Sequence, residues 1–105
     1  MFGLGGIFAE VLKDVSFRLA PVTTSVAREM VEEIAGYPVL AGVRGRPRAD
    51  VDALVDAIVR LSALAVDLKD TISELDVNPL FVFPAGRGVQ AADALIRLKI
   101  VEVRK

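Results

Sequence analysis

The sequence predicts an α+β domain, a mainly antiparallel sheet with two helices packed on one face. Three observations lead there. A continuous apolar stripe at helical spacing runs from Val51 to Leu68. After Thr71 the period changes to that of strands, broken by a turn at Pro84-Ala85-Gly86-Arg87-Gly88. Short β-branched and aromatic runs precede a first, shorter amphipathic segment, so the order reads β-β-α-loop-α-β-β. With 105 residues and no internal repeat, linker or low-complexity stretch, residues 1–105 form a single domain.

The N-terminal runs, Ile7 to Leu12 and Val15 to Leu19, are separated by the polar pair Lys13-Asp14 and read as a strand pair or one bent strand, ended by Pro21. Thr23 and Thr24 are N-cap candidates for a helix carrying Val26, Met30 and Ile34 on one face and ending near Gly36. Tyr37 to Val43 is short and apolar, and Gly42 to Arg48 is a loop. Asp50 opens the main helix, with Asp52 and Asp56 weighting its N-terminal end with negative charge as the helix dipole prefers. Val51, Leu54, Val55, Ile58, Leu61, Leu64, Ala65 and Leu68 form its buried stripe. Thr71 to Phe83 and Val89 to Ile96 are strands across the turn, and Ile100 to Val103 continues β-rich.

Composition removes whole classes of chemistry. There is no histidine, cysteine or tryptophan, so a Ser-His-Asp triad, a thiol nucleophile, a His/Cys zinc site and a disulfide are all excluded within these residues. What remains suits hard cations and phosphates: carboxylates, amides, Lys, Arg, hydroxyls and backbone N–H groups. Mean hydropathy is +0.50, too apolar for a disordered tail, yet no run approaches the ~20 residues of a membrane span. A net charge of −1 argues against nucleic acid or an anionic membrane as partner. The apolar start lacks the basic region of a signal peptide, which points to the cytoplasm. It reads as the middle of something longer.

The informative stretch is Glu74-Leu75-Asp76-Val77-Asn78-Pro79-Leu80. On a strand, Glu74, Asp76 and Asn78 share one face while Leu75 and Val77 take the other. Like charges in a row repel unless a cation or basic group lies between them. Antiparallel partners are equidistant from the turn, so Asn78 falls opposite roughly residues 93 to 96. Asp93 stands there among Ala91, Ala92, Ala94, Leu95 and Ile96. One or two carboxylate or amide oxygens, completed by phosphate and water, make a magnesium site. The same residues read otherwise as turn and edge polars bonded to backbone. Gly3-Leu4-Gly5-Gly6 offers bare backbone to a phosphate, and Lys13 and Arg18 offer charge. Arg44-Gly45-Arg46-Pro47-Arg48 has the core of a minor-groove DNA arm. It is, however, a single copy among apolar elements.

Four segments together resemble the NDP-forming acyl-CoA synthetases, which are similar to the succinyl-CoA synthetase beta subunit. They are Gly3 to Arg18, the Gly42-x-Arg44-Gly45-x-Pro47 loop with Asp50, Glu74 to Leu80, and Ala91-Ala92-Asp93-Ala94. The resemblance implies the C-terminal subdomain of an ATP-grasp domain, with ATP or ADP and Mg²⁺ as ligands. It implies interconversion of acid, CoA and ATP with acyl-CoA, ADP and phosphate, through an acyl phosphate and a phosphohistidine. Metal-binding roles carry onto Asn78 and Asp93, with Asp76 and Glu74 as further candidates. Gly5, Gly6, Lys13, Arg18 and Arg44 are candidates for contacts with the nucleotide phosphates. The other half of the ATP-grasp domain, the CoA-binding domains and the carrier histidine are not in this sequence. A piece of a larger protein, inactive alone, is therefore expected, with self-association through an uncovered apolar face. A regulatory module fused to an acetyltransferase is the alternative that the same resemblance allows. The acyl substrate is not encoded in these residues.

Overall fold

The structure, a computed structural model, describes residues 1–43 and 45–100. Its elements run β1 (Phe2–Gly3), α1 (Ile7–Glu10), β2 (Val15–Ser16), α2 (Thr24–Glu33), α3 (Tyr37–Ala41), α4 (Val51–Asp67), β3 (Ile72–Val77), β4 (Leu80–Val82), β5 (Val89–Ala91) and β6 (Ala94–Leu98).

The core lies where α2 crosses α4. Ala27 and Val31 of α2 meet Val51, Leu54 and Val55 of α4, with Leu40 of α3 closing one side. Leu80, Val82 and Val89 pack against this cluster from the β4–β5 hairpin. Both long helices start on side-chain caps: Thr23 Oγ1 accepts from the Val26 N–H at 3.3 Å, and Asp50 Oδ1 from the Ala53 N–H at 3.1 Å. An Arg28–Asp52 ion pair of 2.6 Å joins the two helices at the surface. The α4 stripe outruns its packing, for Leu64 and Leu68 are 39% and 38% exposed.

The α+β class and antiparallel pairing are as the sequence predicts, but the strands form three separate two-stranded ladders: β1–β2, β3–β6 and β4–β5. The break is chemical. Pro79 has no N–H to give a ladder, and Ala92-Asp93 lies opposite it outside any strand, so the long hairpin divides into an outer and an inner half. Its register is continuous across the break, with Val77 paired to Ala94 and Leu80 to Ala91.

One expected strand is absent. Residues 7–10 form a helix, α1, rather than a strand, because Gly6 takes φ +67° and turns its carbonyl toward the Ala9 and Glu10 N–H groups at 3.2 and 2.9 Å. The strand that pairs with β2 is β1, from the glycine-rich start, through Phe2–Ser16 and Gly3–Val15. The segment after Gly36 adds a short helix, α3, between the two long ones. Arg44 and residues 101–103, expected as loop and strand, lie outside the described residues.

Candidate functional site

The site is built where the hairpin breaks. Asn78 is the residue after β3 and Asp93 the residue before β6. The Asn78 N–H donates to the Asp93 carbonyl at 3.1 Å, and the Ala92 N–H to the Pro79 carbonyl at 2.9 Å. The two residues thus face each other across the strand pair, as the turn position predicts. Both are exposed. Their backbones are committed to the hairpin, which leaves the side chains to do something else. Asp93 Oδ1 accepts the adjacent Ala94 N–H at 2.8 Å, which holds the carboxylate beside its own strand.

The glycine-rich loop comes to this point from the other side. A Cβ on Gly5 would stand 3.7 Å from Asn78 Oδ1. Gly5 therefore lies beside the amide oxygen, at a distance where a methyl group would be in ordinary contact. Gly6 follows with nothing within 4 Å of its Cβ position. Gly3, Gly5, Arg18, Asp76, Asn78 and Pro79 border a cavity of about 400 Å³. Apolar residues of α2, α4 and β3 supply much of the rest of its lining.

Asp76 lines the cavity with Asn78, and so do Leu75 and Val77 of the same strand segment. Glu74 is drawn elsewhere: its carboxylate pairs with Arg97 Nε at 3.2 Å on the partner strand. A register shift lies before it, between Ile72 and Glu74, and the pairing from Glu74 to Val77 is unbroken. Arg18 is at the cavity edge but holds Glu33 at 2.9 Å and its neighbour's carbonyl, Phe17 O, at 2.7 Å. Lys13, at φ +53°, borders a different hollow with Leu12, Asp14, Ala35 and Gly36. The structure does not bring it to Asn78.

The donor set suits Mg²⁺ and not a softer ion: one amide oxygen and carboxylate oxygens, all hard. Among the described residues no cluster of three or more His, Cys, Asp or Glu side chains gathers to hold a metal alone. A cation here would have to complete its shell with water and phosphate, which is how Mg²⁺ is commonly bound.

Two residues that sequence reasoning passed over organise the surroundings. Asp14, read only as half of a polar break, accepts the Ala35 and Gly36 N–H groups at 2.7 and 2.8 Å. Asp50 does more than cap α4, because its Oδ2 also accepts the Gly88 N–H at 2.7 Å from the β4–β5 turn. The Gly88 bond first, then the Ala53 bond, hold the Asp50 carboxyl below its ordinary pKa. Neither role is written locally, because the glycines bonded lie 22 and 38 residues away along the chain.

Residues 1–98 match the model of a family described as the ATP-grasp domain. The beta subunit of an ADP-forming acetate–CoA ligase II from Pyrococcus furiosus is 54% identical over 99 residues, covering 94% of this chain and 42% of the relative. An ADP-forming 4-hydroxybutyrate–CoA ligase from Nitrosopumilus maritimus is 47% identical over 98 residues, covering 93% of this chain and 14% of the relative. The chain thus spans less than half the length of these relatives. A crystal structure of a Pyrococcus horikoshii protein superposes with a TM-score of 0.87 at 52% identity, over 92% of this chain and 40% of that one. The dinucleotide forming acetyl-coenzyme A synthetase 1 of Ca. Korarchaeum cryptofilum superposes at 0.85 with 39% identity, over 92% of this chain and 44% of its own. That structure was solved with coenzyme A and Mg-AMPPCP, its phosphohistidine segment pointing towards the nucleotide-binding site.

Proposed function

The chain belongs to the ATP-grasp domain family, and on that premise we propose that it forms the Mg²⁺-nucleotide wall of an ADP-forming acyl-CoA synthetase. The observation that carries this reading is that Gly5 and Asn78 line one cavity while Asp93 is held opposite Asn78 by the hairpin backbone.

The Asn78 amide oxygen and the Asp93 carboxylate would hold Mg²⁺, with Asp76 next in reach along the strand face. When bound, the ion neutralises charge on the nucleotide phosphates during phosphoryl transfer. Gly5 and Gly6 let the backbone come close to a phosphate where any side chain would stand in the way. Arg18 and the Arg44 loop are candidates for further electrostatic support. Lys13 borders a separate hollow.

The remainder of the ATP-grasp fold, the CoA-binding domains and the carrier histidine would come from the rest of the parent protein. The relatives' names and their greater length support that reading. The chain by itself would bind ATP or ADP weakly and catalyse nothing. No helix among the described residues is long and apolar enough to cross a membrane. That observation and the lack of cysteine fit the cytoplasm as the compartment.

The test is made in the enzyme that contains this chain. Asn78→Ala and Asp93→Ala should each lower Mg²⁺-ATP-dependent turnover by roughly 10- to 100-fold. Turnover equal to that of the unsubstituted enzyme overturns the assignment.

A further inference from the structure

We propose that Asp14 is a positioning residue for the glycine-rich loop, setting Gly5 beside Asn78. The inference rests on reading the site as nucleotide-binding. Its ground is a knot of contacts at the root of the loop. Asp14 Oδ1 accepts the Ala35 N–H at 2.7 Å and Oδ2 the Gly36 N–H at 2.8 Å. Those two N–H groups lie in the corner between α2 and α3, with Gly36 the N-cap of α3. One carboxylate thereby ties the corner to the segment that enters β2.

The glycine loop leaves from the same knot. A Cβ on Gly36 would meet Leu4 Cδ1 at 2.6 Å and Asp14 Oδ2 at 3.2 Å. Leu4, the residue before Gly5, therefore rests on bare backbone beside the carboxylate. A Cβ on Gly3 would meet Val15 Cγ1 at 2.8 Å and the Asp14 carbonyl at 2.9 Å. So Gly3 and Leu4 are both packed against Asp14 or its direct partners. The next residue, Gly5, reaches Asn78.

The physics favours such an anchor. A loop with two adjacent glycines loses more backbone freedom on ordering than any other, which weakens ligand binding unless it is ordered beforehand. Two charge-assisted bonds to neighbouring N–H groups fix a carboxylate in both position and orientation. Sites gain their precision from supports of this kind.

The test uses the enzyme that contains this chain, in two variants that disturb the knot differently. Asp14→Asn keeps one acceptor oxygen and turns an NH₂ toward the other backbone N–H. Gly36→Ala keeps the carboxylate and pushes Leu4 aside. Both should raise KM for Mg²⁺-ATP by about tenfold or more and leave KM for CoA unchanged. Amide exchange should quicken at residues 4–6 and stay slow in α2 and α4. A wild-type KM for Mg²⁺-ATP in either variant, with α2 and α4 protected, overturns the role. Lost protection of α2 and α4 in both variants overturns it as well, because positioning must be separable from the core. Failure of the underlying reading looks different: the unsubstituted enzyme would then show no change in exchange at Gly5 and Gly6 on adding Mg²⁺-ATP.

Discussion

The backbone N–H of Asn78 donates to the carbonyl of Asp93 at 3.1 Å, which locks the two residues opposite each other while both side chains stay exposed. The hairpin is held by backbone bonds, and neither side chain is buried. Asn78→Ala and Asp93→Ala should therefore leave stability within about 0.5 kcal/mol of the parent. The Mg²⁺ concentration for half-maximal activity should rise in both. Thermal unfolding and Mg²⁺ titration of the enzyme read the two effects separately.

Gly5 and Gly6 should respond to substitution for different reasons. A Cβ at Gly5 meets only Asn78 Oδ1, at the ordinary contact distance of 3.7 Å. Gly5→Ala should fold normally, and Gly5→Val should crowd the amide oxygen and raise KM for Mg²⁺-ATP. Gly6 has open space but sits at φ +67°, so Gly6→Ala should cost about 1–2 kcal/mol of backbone strain. Chemical denaturation of the two alanine variants measures the contrast.

Acid should loosen the β4–β5 turn through Asp50. Its bonds to Gly88 and Ala53 place the folded-state pKa below the ordinary value of 3.8. A group depressed in this way adds stability above its unfolded pKa and loses it as pH falls through the folded one. Unfolding followed downward from about pH 5 should show that loss, and Asp50→Asn should remove this part of the slope.

Glu74 should prove dispensable to the metal. Its carboxylate and Arg97 are 67% and 66% exposed and 3.2 Å apart, a pair worth under about 1 kcal/mol. Glu74→Gln should leave Mg²⁺ dependence unchanged, whereas Asp76→Asn should weaken it. A matched shift in both would return Glu74 to the ligand set.

The α2–α4 contact should carry most of the stability. Val31 is fully buried at 0% exposure against α4 residues. Val31→Ala should cost roughly 2–3 kcal/mol from lost burial and the void left behind. Urea unfolding checks the figure.

Local rules made much of this legible. Thr23 and Asp50 announced both long helices because a cap acts within three residues, and the α4 stripe is written in its own spacing. Asn78 could be set opposite Asp93 from the turn alone, since pairing in a hairpin counts outward from its centre. The misread segment was residues 7–12, where apolar β-branched residues outweighed the glycine that turns the chain into α1. Periodicity over so few residues cannot separate strand from helix.

What the sequence determined by itself, then, was the class of domain, its two main helices and the Asn78–Asp93 pair, all products of short-range geometry. Tertiary structure decided which glycine lies beside Asn78, that Lys13 borders a hollow with Ala35 and Gly36, and that Asp14 ties the glycine loop to the α2–α3 corner. Each of those is a contact between elements distant along the chain. Packing around the α2–α4 core, which Phe2, Leu4, Tyr37 and Leu80 join, gathers those elements.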